Sequence, residues 1–285
     1  MARIISMEAH AKVNLHLGIY EGRDERGYHR ADSIMIAIGL YDRVTVTDAD
    51  EICVNTTPEL DVPERRTLVA RSARALAAAF GLRHGAKIDV VRHIPDKSGL
   101  GSASTDAATT IRALCMLWGL DEKDPRVVKV ARSAGADMAF FLNPVPSWLD
   151  GVGDHLREAF PPLPGVPMVL VRPSGGVSTP EAYAEFDRAP EAPADPSAMC
   201  AALRAGDVRA VAGALYNNLE APACRLEPEE QVVVDWLRAQ DAVMAAQVTG
   251  SGSCTFGICE SRESAERVCE SALQHGWWSC ATETI

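Results

Sequence analysis

The spacing of apolar and polar positions changes period between residues 86 and 118. From Ala86 to Ile94, Ile88, Val90 and Ile94 share one side while Lys87, Asp89 and His93 share the other, which predicts a half-buried strand. From Ala107 onward, Ala108, Ile111, Leu114, Cys115 and Trp118 recur at helical spacing, and Gly119 stands where a helix carries its terminal glycine. Between the two patterns lies Pro95-Asp96-Lys97-Ser98-Gly99-Leu100-Gly101-Ser102-Ala103-Ser104-Thr105. Its glycines can take positive φ, and a helix start gathers free N–H groups at the positive end of its dipole. A phosphate fits such a place, with the hydroxyls able to bond its oxygens or a magnesium ion. The alternative is a glycine turn that merely joins a strand to a helix. A Walker loop is excluded because no GxxxxGK[ST] occurs, and Ser104 stands where a dinucleotide fingerprint needs its third glycine.

The same reading organises the rest. Ala9 to Leu17 alternates as a strand, with Val13, Leu15 and Leu17 on one face and Lys12, Asn14 and His16 on the other; a solvated outer face is the first reading, a cleft wall the second. Gly18 to Arg30 is polar and turn-rich, Ser33 to Leu40 a strand, and Asp42-Arg43 a turn. Leu68 to Phe80, closed by Gly81, and Arg126 to Ser133, opened by Asp124-Pro125, read as helices. Asp137, among small and apolar residues, is exposed, caps a helix or faces a cation. Phe160 to Gly165 reads as a proline-rich linker between domains 1–162 and 163–285. Beyond it, strands are expected at 168–171, 243–248 and 254–259, and helices at 181–186, 197–204, 207–216, 228–239 and 261–274. Gly250-Ser251-Gly252-Ser253 is a hairpin turn or a second backbone surface near a ligand.

Composition narrows the function. At 285 residues, two domains are the better expectation. Hydrophobic residues make up 47% and charged residues 24%, which is globular. The net charge of −11 repels polyanions, so no nucleic-acid partner is expected. With no apolar run of spanning length and no secretory leader, neither a membrane nor export is expected, and a cytoplasmic location follows. The 8 cysteines include no CxxC pair, so reduced, mostly buried thiols are expected rather than zinc ligands or disulfides.

Taken in order, Lys12-Val13-Asn14, Gly27-Tyr28-His29, the glycine loop, Gly135-Ala136-Asp137, Gly151-Val152-Gly153, Asn217-Asn218-Leu219-Glu220 and Thr249-Gly250-Ser251-Gly252-Ser253 resemble the GHMP small-molecule kinases. The resemblance runs from residue 9 to about 260. It implies an α+β fold of two domains, the first like domain 2 of ribosomal protein S5 and the second ferredoxin-like, with the site between them. It further implies ATP as phosphoryl donor with Mg2+, and a cytidylyl diphosphate of methylerythritol as the small-molecule acceptor; the alternatives are a kinase of the same family acting on homoserine, mevalonate or a sugar, or a non-catalytic ligand-binding relative. Lys12 and Asp137 would be the catalytic pair. Pro95 to Thr105 would wrap the ATP phosphates, Asn14 would lie beside the acceptor, and Tyr28, His29, Thr179 and Tyr183 would hold the substrate. The metal ligands are left open, and a monomer or weak homodimer is expected. One departure is Thr67, where this family commonly has an asparagine.

Overall fold

The computed structural model describes residues 3–25 and 27–285; Met1, Ala2 and Arg26, the last within the turn-rich stretch 18–30, lie outside the described residues. The chain runs β1 (Ile4–Ile19), β2 (Ala31–Ala49), β3 (Cys53–Thr57), α1 (Leu68–Phe80), β4 (Gly85–Val91), α2 (Ser102–Trp118), α3 (Pro125–Ala134), α4 (Met138–Leu142), β5 (Ser147–Asp150), β6 (His155–Ala159) and β7 (Pro167–Arg172). It continues through α5 (Thr179–Arg188), α6 (Ser197–Ala205), α7 (Val208–Gly213), β8 (Tyr216–Asn217), α8 (Glu220–Leu226), α9 (Pro228–Arg238), β9 (Val243–Val248), β10 (Thr255–Cys259), α10 (Arg262–Gln274) and β11 (Trp278–Glu283). By contact these residues form two compact units, one of 1–11, 40–95 and 101–144, the other of 12–39, 96–100 and 145–285.

In the first unit, the later half of β2 pairs antiparallel with β4, Val46 facing Ile88, and β3 runs parallel to β4 on its other side. Helices α1 to α4 pack on one another, burying Val69, Ala73, Leu76, Ile111, Leu114 and Phe140. Their ends follow local chemistry. The Thr67 hydroxyl accepts the Ala70 N–H at 3.2 Å and so caps α1, a task threonine performs somewhat less well than asparagine. Gly81 and Gly119, at φ 64° and 67°, close α1 and α2 in the left-handed region that glycine reaches without strain.

The expected turn at Asp42-Arg43 is not there, because β2 continues through it. Asp42 is fully buried, and its carboxylate accepts the backbone N–H groups of His93 at 2.5 Å and Ile94 at 2.8 Å. Two charge-assisted bonds from a distant segment outweigh the local turn preference of an Asp-Arg pair. Burial pushes the Asp42 carboxyl above its ordinary range although both bonds pull the other way.

The second unit contains a four-stranded antiparallel sheet in the order β11-β7-β10-β9. Read along the chain this is β-α-β-β-α-β with the first and third strands adjacent, the ferredoxin-like arrangement. Val169, Val171, Val233, Leu237, Ala265, Val268 and Trp277 form its core with α9 and α10. The same unit holds Lys12–Ile19 of β1, where His16 pairs with Tyr216 of β8, and the start of β2, where Ile34 pairs with Trp148 of β5. The helix expected over 207–216 ends at Gly213 because Tyr216 and Asn217 are taken by that parallel pairing. The proline-rich stretch 160–165 lies within this unit, Phe160 buried and its N–H bonded to the Pro146 carbonyl at 2.8 Å. No helix among the described residues is long and apolar enough to cross a membrane.

Candidate active site

The polar face of β1 is not solvated. Lys12, Asn14 and His16 retain 3%, 3% and 1% of their exposure, so both faces of the strand are covered and the first reading of the sequence is overturned. A buried lysine needs partners. The Lys12 ammonium donates to Asn14 Oδ1 at 2.5 Å, Asn14 Nδ2 donates to Ser33 Oγ at 2.9 Å, and the Asn14 N–H donates to Thr249 Oγ1 at 3.1 Å. The Thr249 hydroxyl in turn lies 3.4 Å from Asn14 Oδ1, and Gln247 Nε2 donates to the Asn14 carbonyl at 2.9 Å. His16, tilted against Tyr216 at 5.2 Å, is pushed down to about 4 by burial, which outweighs the opposite pull of Asp32 and Asp195.

Loop 96–100 meets this face. The Lys12 N–H bonds to the Leu100 carbonyl at 3.1 Å, and the Ser253 N–H to the Lys97 carbonyl at 3.1 Å. A Cβ on Gly99 would fall 2.0 Å from the Thr249 carbonyl oxygen, so that glycine is required by the approach of residues 249–253, which also join the antiparallel strands β9 and β10. Lys97, Gly99 and Gly101 have φ of 51°, 74° and 81°. Within the loop the Leu100 N–H turns back to the Ser98 hydroxyl at 3.4 Å, so the backbone there is tightly folded by left-handed residues at alternate positions. Gly101 then opens α2, where the N–H groups of Ser102 and Ala103 have no intrahelical carbonyl to reach. These groups fit ATP phosphates. Thr105 serves the fold as well, its hydroxyl donating to the His10 carbonyl at 2.8 Å.

Asp137 and residues 101–105 belong to the first unit, Lys12, Asn14 and 96–100 to the second. Asp137 is half-buried at the N-cap position of α4, yet its side chain makes no capping bond. Among the described residues no three of His, Cys, Asp and Glu cluster to hold a metal ion.

The residues expected to hold the substrate are gathered within the second unit. Tyr28 is 59% exposed, whereas His29 is buried with its ring 5.4 Å from Tyr183 and edge-on to Phe186. Its Nδ1 lies 2.9 Å from the Tyr20 carbonyl and its Nε2 3.1 Å from Asp187. The Nδ1 contact ties the ring to the residue that follows β1, while Nε2 lies near the Asp187 carboxylate without completing a hydrogen bond. Burial alone would raise the Asp187 carboxyl, but Arg23 and His29 hold it below its ordinary range. Thr179 Oγ1 pairs with Ser251 Oγ at 2.9 Å. Ser33, Gln247 and Asp32, whose carboxylate accepts from Tyr20 and Trp148, carried no sequence signal; Thr249 stood at the head of a motif read only for its glycines.

Lysines and helix starts are groups that phosphoryl-transfer proteins use to stabilise charge. The models of the GHMP kinases N terminal domain and the GHMP kinases C terminal match residues 67–143 and 199–276. The chain belongs to the GHMP kinase family and is an ATP-dependent small-molecule kinase. It is 35% identical, over 99% of its length and 96% of the relative's, to the 4-diphosphocytidyl-2-C-methyl-D-erythritol kinase of Desulfitobacterium hafniense. To the protein of that name from a Nocardioides species it is 36% identical over 91% of this chain and 90% of the other. A crystal structure of 4-(cytidine 5'-diphospho)-2C-methyl-D-erythritol kinase superposes with a TM-score of 0.82 at 31% identity, covering 98% of this chain and 99% of that one. Homoserine kinase from Cytophaga hutchinsonii, at 19% identity and a TM-score of 0.76 over 99% and 94% of the two chains, shares the fold.

Proposed function

We propose that this kinase transfers the γ-phosphoryl group of ATP to the 2-hydroxyl of 4-diphosphocytidyl-2-C-methyl-D-erythritol. The observation that carries the reading is the buried Lys12–Asn14 pair beside loop 96–100, to which the Lys12 N–H bonds, in a chain whose full-length relatives bear that kinase's name. Phosphoryl transfer asks mainly for alignment and charge stabilisation. Residues 95–105 would hold the ATP phosphates through backbone N–H groups, and Mg2+, when bound with ATP, would neutralise phosphate charge. Lys12 would stabilise negative charge on the acceptor oxygen, Asn14 would lie beside the acceptor, and Asp137 would orient or deprotonate its hydroxyl. Tyr28 and Tyr183 would offer ring faces to the cytosine, with His29 anchoring the segment that carries Tyr28 and Thr179 near the same substrate. A domain division at 162/163 leaves each family-model match whole on one side. Eight free thiols suit a reducing cytoplasm, and a monomer or weak homodimer is the proposed assembly.

The test is ADP release with a panel of alcohols: the cytidylyl substrate, its uridylyl analogue, homoserine and mevalonate. Turnover with the cytidylyl compound should exceed the others. A preference for homoserine or mevalonate would discard the substrate and keep the kinase. Asp137→Asn should lower turnover by roughly 10²-fold or more, and Lys12→Met by a similar factor. The double variant should be little worse than either, whereas additive losses would dissolve the catalytic unit.

A further inference from the structure

We propose that Ser33 and Thr249 are positioning residues for the phosphoryl-transfer lysine, acting through the Asn14 side chain. The inference rests on the reading of Lys12 given above and assigns the groups that make it work. A lysine ammonium only donates, so the atom of the Asn14 amide that faces it must be the oxygen, and it is, at 2.5 Å. A carboxamide can rotate by half a turn at little cost, which would point its NH2 at the ammonium. The ammonium itself disfavours that rotation, and neighbouring hydroxyls hold the amide in place. Ser33 Oγ accepts from Asn14 Nδ2 at 2.9 Å on the far side. Thr249 Oγ1 accepts the Asn14 backbone N–H at 3.1 Å, which leaves its own proton for Asn14 Oδ1 at 3.4 Å. The amide is thus held at its nitrogen by one hydroxyl and at its oxygen by another.

Both hydroxyls are buried, Ser33 at 5% and Thr249 at 0% exposure, so water does not replace them readily. They come from separate segments, the start of β2 and the end of β9. Backbone contacts reinforce the arrangement: Asn217 Nδ2 donates to the carbonyls of Val248 at 2.8 Å and Gly250 at 2.9 Å, fixing the segment that carries Thr249. A Cβ on Gly250 would lie 3.3 Å from Lys12 Nζ, so this glycine packs close to the ammonium. Small errors in the position of a charged group cost much in a reaction that depends on alignment.

Steady-state kinetics and side-chain amide exchange in Ser33→Ala and Thr249→Val test the assignment. Each variant should lower kcat by roughly tenfold with the KM values for ATP and acceptor nearly unchanged, as expected for a group that aligns without touching substrate. Thr249→Ser, which keeps the hydroxyl, should recover most of the loss. In an Asn14→Ala background Ser33→Ala should add nothing, because no amide remains to be oriented. A rise in acceptor KM that persists in that background would mean that Ser33 binds substrate directly, and unchanged kcat would overturn the proposal outright. Independently of turnover, the Asn14 side-chain NH2 should exchange with solvent more slowly in the wild type than in folded Ser33→Ala; equal exchange would also overturn it. If the wild type released no ADP with any acceptor, the kinase reading would fall while the exchange experiment still judged the lock.

Discussion

Single residues carry two of the boldest commitments of this sequence. Asp42→Ala would strip the acceptor from the N–H groups of His93 and Ile94 at once, and a loss of about 2–3 kcal/mol in chemical denaturation is expected. Asp42→Asn, which keeps one oxygen, should cost less. His16 is held neutral, with its folded value near 4 against 6.5 when free. Its contribution is therefore complete above pH 6.5 and lost as pH falls toward 4. His16→Phe should flatten that acid slope in a denaturation series from pH 4 to 7, whatever it does to absolute stability. Neither role could be read locally. An Asp-Arg pair inside an apolar run has the sequence of a turn, and Lys12, Asn14 and His16 alternate just as a wet strand face does. What separates the readings is distant in both cases: His93 and Ile94, 51 and 52 positions from Asp42, and Thr249 and Gln247, 235 and 233 positions from Asn14.

At the scale of elements, legibility followed how local each cause was. Helices α1, α2 and α3 carry their own start and stop residues, Thr67, Gly81, Asp124 and Gly119, and were read nearly to the residue. Strands β9 and β10 announce themselves by a continuous apolar run on each side of a glycine turn. By contrast β8 is two residues long and exists only because Tyr216 meets His16, while β5 and β6 are short and mostly define each other. The packing of α9 on β10 yields a further prediction. Glu230 is fully buried, its Oε1 accepting from the Thr255 hydroxyl at 2.6 Å and its Oε2 without a hydrogen-bond partner. Burial pushes its carboxyl up to about 7, with Glu220 and Glu227 adding to the rise against the Thr255 bond. The fold thus favours the protonated acid, a contribution complete below the ordinary value of 4.5 and lost as pH climbs through 7. Glu230→Gln should remove that slope and be the more stable protein at pH 8, by on the order of 3 kcal/mol. Thermal midpoints from pH 5 to 8 decide it; parallel curves would show that the acid is not the cause.

For the whole molecule, the α+β class was legible, while the interleaving of the chain between its two contact units left no mark in the sequence. A cut placed in a proline-rich stretch assumes that each unit is one piece of sequence. Here each is three pieces, and β1 and β2 begin in one unit and end in the other. A fragment of residues 1–144 should accordingly fail to give a cooperative unfolding transition, since it retains Lys12 to Gly39 without the strands that cover them; a sharp transition by circular dichroism would refute this. The interleaving also has a meaning in time. On the ribosome, the first strand leaves the exit tunnel with its buried face finished as sequence but not as structure, because His16 must wait for Tyr216 and Asn14 for Thr249. Ile38 waits longer still, for Thr284. For most of its synthesis the nascent protein therefore carries strands whose partners are not yet made, the condition in which long-range pairing is slow and exposed to aggregation.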